Sequence, residues 1–126
     1  NGTVDIIDVL NAKNIVHITA GEIFKEASQA SYFLSNIEDD LEALAQCDIV
    51  LYQAGADPHI DDPLGGFLTT AQLAQRDWRV FHGLRERKIP VAWNLAGGYQ
   101  KPISKVIAIH ENTMRACIAA LDGDGV

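Results

Sequence analysis

The sequence predicts an α/β fold with a mainly parallel sheet. Two observations carry this. Three short runs rich in Val, Ile or Leu, each closed by turn-forming residues, read as buried strands. Between and after them, apolar residues recur at helical spacing, and strands alternating with helices build parallel sheets with helical cover.

In chain order, Ile15 to Thr19 is the first predicted strand. The stretch from Gly21 to Ser35 reads as partly helical and takes no firm assignment. Ile37, Leu41 and Leu44 then recur at helical spacing behind a Ser35-Asn36 cap. Glu38, Asp39 and Asp40 sit in the first turn, where acids oppose the helix dipole. Asp48 to Gln53 is the second strand. Ala71, Ala74, Trp78, Phe81 and Leu84 form the next apolar stripe, opened by Thr69-Thr70. Pro90 to Leu95 is the third strand. A last helix begins near Pro102, is expected to bury Ile103, Val106, Ile107, Met114, Cys117, Ile118 and Leu121, and stops before Gly123.

A chain of 126 residues suits one domain, and 48% hydrophobic with 21% charged residues is ordinary for a globular protein. The net charge of −7 argues against a nucleic-acid partner, which needs clustered Lys and Arg. The basic cluster Arg85-Glu86-Arg87-Lys88 ends a helix, where cations offset the dipole. No apolar run approaches the ~20 residues that cross a bilayer. Asn1 to Asp8 has neither the basic start nor the cleavage site of a signal peptide. The expectation is a cytoplasmic protein without a membrane partner. Cys47 and Cys117 stand outside any CxxC pattern and read as small buried hydrophobes rather than a disulfide.

In sheets of this kind, functional groups gather beyond the carboxyl ends of the strands. The loops after Gln53 and after Leu95 therefore matter most. The first runs Ala54-Gly55-Ala56-Asp57-Pro58-His59-Ile60-Asp61-Asp62-Pro63-Leu64-Gly65-Gly66-Phe67. On spacing alone Asp57 reads first as a turn aspartate and second as a cation ligand. His59, Asp61 and Asp62 could add a weak divalent site, but a solvated acidic loop is the plainer reading. The second loop, Leu95-Ala96-Gly97-Gly98-Tyr99-Gln100-Lys101, sets a phenol at a strand mouth with little cover. Such a phenol can donate a hydrogen bond to a developing oxyanion or simply sit at a domain edge. His17, His82 and His110 are scattered and read as non-ligands.

Together the loops resemble one family in order and spacing. DIVLYQAGADPHIDDPLGGF is similar to the strand–GAD–loop–DxLG segment of the histone deacetylase superfamily, and IPVAWNLAGGYQK to its strand–GGY segment. The GGYQ ending and the Arg76-Asp77 pair look closest to the class IV branch and its bacterial relatives. The resemblance runs from Cys47 to Leu121. It implies a three-layer arginase/deacetylase-like architecture, of which residues 1–126 would form a partial domain.

The resemblance further implies a zinc-dependent hydrolase acting on the amide of acyl-lysine or an acylated polyamine. Asp57 would be a zinc ligand, and Tyr99 would hydrogen-bond the scissile carbonyl. Leu64 would line the channel for the acyl-lysine stem, with Gly97 and Gly98 shaping its wall. Asp62 would be structural. The family's D-x-H ligands and His-His base do not occur among these residues. Asn1-Gly2-Thr3 resembles the G-N-G-T that follows D-x-H, so the chain is expected to begin just after the missing ligands. One aspartate does not hold a catalytic zinc. The chain alone is therefore expected to be inactive and to hold no zinc tightly. The alternative is an autonomous non-catalytic module, associating as a homo-oligomer through surface left bare by the missing half. A nucleotide-binding domain is excluded by the lack of a GxGxxG or GxxxxGK[ST] loop.

Overall fold

The computed structural model describes residues 3–10, 15–22 and 27–123, with side chains from residue 30 onward. The elements are β1 (Thr3–Leu10), β2 (Ile15–Glu22), α1 (Ala27–Ala43), β3 (Ile49–Gly55), α2 (Thr70–Glu86), β4 (Val91–Ala96) and α3 (Ser104–Asp122). Four strands form one sheet in the order β2-β1-β3-β4. The α/β class stands, and each predicted strand is present with slightly shifted ends. The sheet is mixed, however. β3 and β4 are parallel, from Val50↔Val91 to Gly55↔Ala96, with α2 as their crossover. β1, a strand missed in the sequence, runs antiparallel to both β2 and β3. The link from β1 to β2 is too short for a parallel return, which needs a dozen residues or more. His17 falls on β2, where side chains lie outside the described residues, as do Asn1 and Gly2.

The period of two along β3 shows where the core sits. Val50, Tyr52 and Ala54 are buried, whereas Leu51 and Gln53 are exposed, as are Ala92 and Asn94 of β4. Among the described residues the helices thus cover one face of the sheet, making two layers, an arrangement compatible with part of a three-layer α/β domain.

Helix α1 is longer than its predicted cap allowed. Ala30, Phe33, Leu34, Ile37 and Leu41 are all buried at helical spacing, so the apolar stripe starts well before Ser35. Ser35 is no cap: its hydroxyl donates to the carbonyl of Tyr32, 2.8 Å away. Helix α2 does begin as predicted. Thr69 accepts from the Gln72 amide at 3.2 Å while the Thr69 amide donates to Gln72 Oε1 at 2.9 Å, a reciprocal capping box. Its buried face differs from the predicted stripe. Leu73, Arg76, Asp77, Val80, Phe81 and Leu84 point inward, Ala71 is exposed, and Trp78 is half-buried and stacked on His82. The basic end does more than meet the dipole. Arg87 donates to the Gly83 carbonyl at 3.0 Å and pairs with Glu38 of α1, also at 3.0 Å.

Helix α3 stops at Gly123, whose φ of 81° is a left-handed cap that glycine adopts freely. Its buried face is Val106, Ile109, Thr113, Ala116 and Ala120. The expectation that Ile103, Ile107, Met114, Ile118 and Leu121 are buried is wrong: all five are exposed. The helix has two apolar faces, and only one packs against α2.

A polar group lies inside this core. Tyr52 Oη and Thr113 Oγ1 donate to the two carboxylate oxygens of Asp77. Arg76 Nε donates to Asp77 Oδ1 at 2.9 Å, and its guanidinium lies 5.9 Å from the centre of the Tyr52 ring. Tyr52 and Asp77 are fully buried and Arg76 is 2% exposed, so β3, α2 and α3 meet on one ion pair. Burial alone would lower the pKa of Arg76, but the Asp77 carboxylate raises it and keeps the guanidinium charged. Burial pushes the Tyr52 phenol well above its ordinary value of 10.0. In the unfolded chain the phenol titrates at its ordinary value, so the resulting stability is full below pH ~10 and falls as pH rises above it. Urea midpoints taken from neutral pH to above pH ~10 should fall more steeply for the native chain than for Tyr52→Phe.

Candidate active site at the carboxyl ends of β3 and β4

Because β3 and β4 are parallel and in register, their carboxyl ends open at the same edge of the sheet. The pairing continues one step into the loops, where the Ala56 amide donates to the Ala96 carbonyl at 2.9 Å. Two glycines then let the second loop close on the first. Gly97 has φ of 52° and Gly98 has φ of 104°, a backbone region that side-chain-bearing residues rarely adopt. A Cβ at Gly97 would collide with the carboxylate of Asp57. One at Gly98 would stand 2.6 Å from Val106 Cγ1 and 2.9 Å from Ala56 Cβ. The half-buried Asp57 carboxylate thus occupies space that Gly97 leaves open.

Asp62 ties the loops together. It is 4% exposed, and its carboxylate accepts from the Leu64 amide on Oδ1 and from the Tyr99 amide on Oδ2, both at 2.9 Å. Charge-assisted bonds of this kind are short and strong. The backbones of Leu64 and Tyr99 are therefore held by one carboxylate, while both side chains remain more than half exposed. Sequence spacing brings Asp57, Leu64, Gly97 and Tyr99 to one edge, and the structure joins them through these contacts.

The remainder of the first loop is a compact turn rather than a solvated acidic one. Phe67 and Leu68 amides both donate to the Pro58 carbonyl, at 2.8 and 2.9 Å. His59 is buried, its Nδ1 accepting from the Asp61 amide at 3.0 Å and its Nε2 lying 2.9 Å from Thr70 Oγ1. An accepting Nδ1 places the ring proton on Nε2, which then donates to the threonine hydroxyl. Both ring nitrogens are in use, so His59 does not join Asp57 as a ligand. Among the described residues, no group of three or more His, Cys, Asp or Glu is placed to hold a metal ion. Gln100, missed by the sequence reading, is buried just beyond Tyr99 with no partner for its Nε2. Only its place in the GGYQ string pointed to it.

No family model matches the chain. It is similar to histone deacetylase 2 of Arabidopsis thaliana, with 35% identity over 80 residues, covering 60% of this chain and 21% of that protein. It is also similar to an uncharacterized protein of Picosynechococcus sp., with 34% identity over 79 residues, covering 62% of this chain and 26% of that one. The chain thus spans about a fifth to a quarter of the length of the curated relatives it matches. Fold and similarity together define an α/β domain distantly related to histone deacetylases over part of its length. Among the described residues no helix is long and apolar enough to cross a membrane.

Proposed function

We propose that residues 1–126 supply the C-terminal part of a deacetylase site of the class IV-like bacterial kind. Its substrates would be acyl-lysine side chains or acylated polyamines. The observation that carries this is the closure of the two strand-end loops. The Asp57 carboxylate fills the space at Gly97, and Asp62 fixes the Leu64 and Tyr99 backbones.

In this reading Tyr99 donates a hydrogen bond to the scissile carbonyl oxygen and stabilises the charge that develops there. Leu64, with Gly97 and Gly98, borders the acyl-lysine stem, for which its exposed side chain is available. Asp57 is one metal donor. A catalytic zinc takes three protein ligands and an open position, and the described residues provide one suitable carboxylate. They do not fit a zinc on their own. The reading therefore requires further donors and a general base beyond those described, and residues 1–126 by themselves should not hydrolyse the amide.

A transplant tests this. The matched segment of the Arabidopsis deacetylase is replaced by its counterpart from this chain, and release of acetate from an acetyl-lysine peptide is measured. The chimera should be active. Tyr99→Phe should then lower kcat by about a hundredfold or more with bound zinc unchanged, whereas Asp57→Ala should lose the zinc. A folded, zinc-loaded chimera without activity, or one indifferent to Tyr99→Phe, would overturn the proposal.

A further inference from the structure

The last turns of α2 and α3 converge over the amino end of β4 and leave a cleft between them. Its volume is about 350 Å³, and Phe81, Arg85, Val91, Trp93, Cys117 and Leu121 are among its walls. Small-molecule sites occupy about 300–1,000 Å³ and are mostly apolar, with a few placed polar groups. The core is incomplete at this point. Val91, Trp93 and Cys117 pack on its margin, are each half-buried, and all line the cleft. β4 runs away from it, so Gly97 and Tyr99 lie beyond the opposite end of the strand.

Two features of the walls select a ligand. The first is aromatic: the Phe81 and Trp93 rings both line the cleft, with centroids 5.6 Å apart and planes at 65°. Rings inclined in this way offer a face and an edge to a third ring, as aromatic groups prefer. The second is charge. Arg85 is the charged residue of the lining, which contains no acid, and it is exposed, so it stands at the rim. Its neighbours are engaged, Glu86 by His82 at 3.1 Å and Arg87 by Glu38 at 3.0 Å. Among the described residues no carboxylate pairs with Arg85. A planar guanidinium beside an apolar cleft matches a carboxylate through two parallel hydrogen bonds. The space admits about a dozen non-hydrogen atoms, at the ~30 Å³ that a water takes in the liquid.

We propose that this cleft binds an arylalkyl carboxylate, with its ring against Phe81 and Trp93 and its carboxylate on Arg85. The probe is 3-phenylpropionate, titrated into the full chain and followed by amide and indole chemical shifts in proton–nitrogen correlation spectra. Trp93, Cys117 and Leu121 should move together, with a Kd of about a millimolar or below, while Leu64 and Tyr99 stay in place. The neutral 3-phenylpropanol should bind at least about fivefold more weakly, for want of the charge-assisted contact. Arg85→Gln should abolish that preference and leave the alcohol's affinity unchanged. The saturated 3-cyclohexylpropionate should bind about threefold more weakly than the aryl acid, because it has no π face. Leu121→Glu sets an acid on the wall at an exposed position and should repel the carboxylate more than the alcohol. Arg85 and Leu121 are both exposed, so neither substitution threatens the fold.

Spectra unchanged up to about 10 mM probe, or shifts confined to Leu64 and Tyr99, would overturn the proposal. So would an alcohol or a saturated acid that binds as well as 3-phenylpropionate, or binding indifferent to Arg85→Gln.

Discussion

Asp77→Ala is expected to destabilise the fold by about 3 to 5 kcal/mol, enough to unfold many domains of this size. The arithmetic follows from what remains. Arg76 would stay 98% buried with its carboxylate partner removed, and Tyr52 and Thr113 would each lose the Asp77 oxygen to which they donate. Removing one partner of a buried pair costs far more than removing both. Asp77→Asn, which keeps the shape without the charge, should fall between. Arg76→Met combined with Asp77→Leu should recover much of the loss. Urea denaturation followed by circular dichroism measures all three. A single alanine variant within about 1 kcal/mol of the native chain would show that Arg76 finds another partner or reaches water.

Asp62→Ala should have the largest effect at the site itself. Two amides lose a charged acceptor, at a cost of about 2 to 3 kcal/mol, and the first loop loses its tie to the second. Hydrogen exchange should show protection falling at the Leu64 and Tyr99 amides together. Asp62→Asn has one accepting oxygen in place of two, so it should keep protection at one of them. In the transplanted deacetylase, Asp62→Ala should lower kcat while zinc content holds, because the Asp62 carboxylate holds the Leu64 and Tyr99 amides and not Asp57. Loss of zinc instead would mean that Asp62 positions the metal donor as well.

The parts of this structure legible in the sequence are those set by local chemistry. β3 and β4 are apolar runs ended by Gly, Asp and Pro, and the Thr69 cap announces α2 by a hydroxyl at the right offset. The buried face of α2 was misjudged because periodicity counts apolar residues. Arg76 and Asp77 look like surface charges until their mutual compensation is seen in three dimensions. β1 was missed because Asp5 and Asp8 interrupt its apolar run, and its pairing with β3 is a long-range event. On α3 the sequence shows two apolar faces but not which one the rest of the chain covers. The candidate site divides in the same way. Asp57 and Tyr99 stand out by their place after strands, whereas the double acceptance by Asp62 depends on two loops meeting. His59 looked free for a cation because its partners, the Asp61 amide and the Thr70 hydroxyl, appear only when the loop folds back.

The contact between Gly97 and Asp57 has an evolutionary consequence. Any side chain at position 97 must displace the carboxylate at 57 as well as enter an unfavourable backbone region. A lineage that loses the glycine therefore loses the aspartate's position in the same step, and a lineage that has dispensed with the aspartate is free to fill the glycine. The two positions are expected to drift or persist as one inherited character, although 39 residues of loop, helix and strand lie between them.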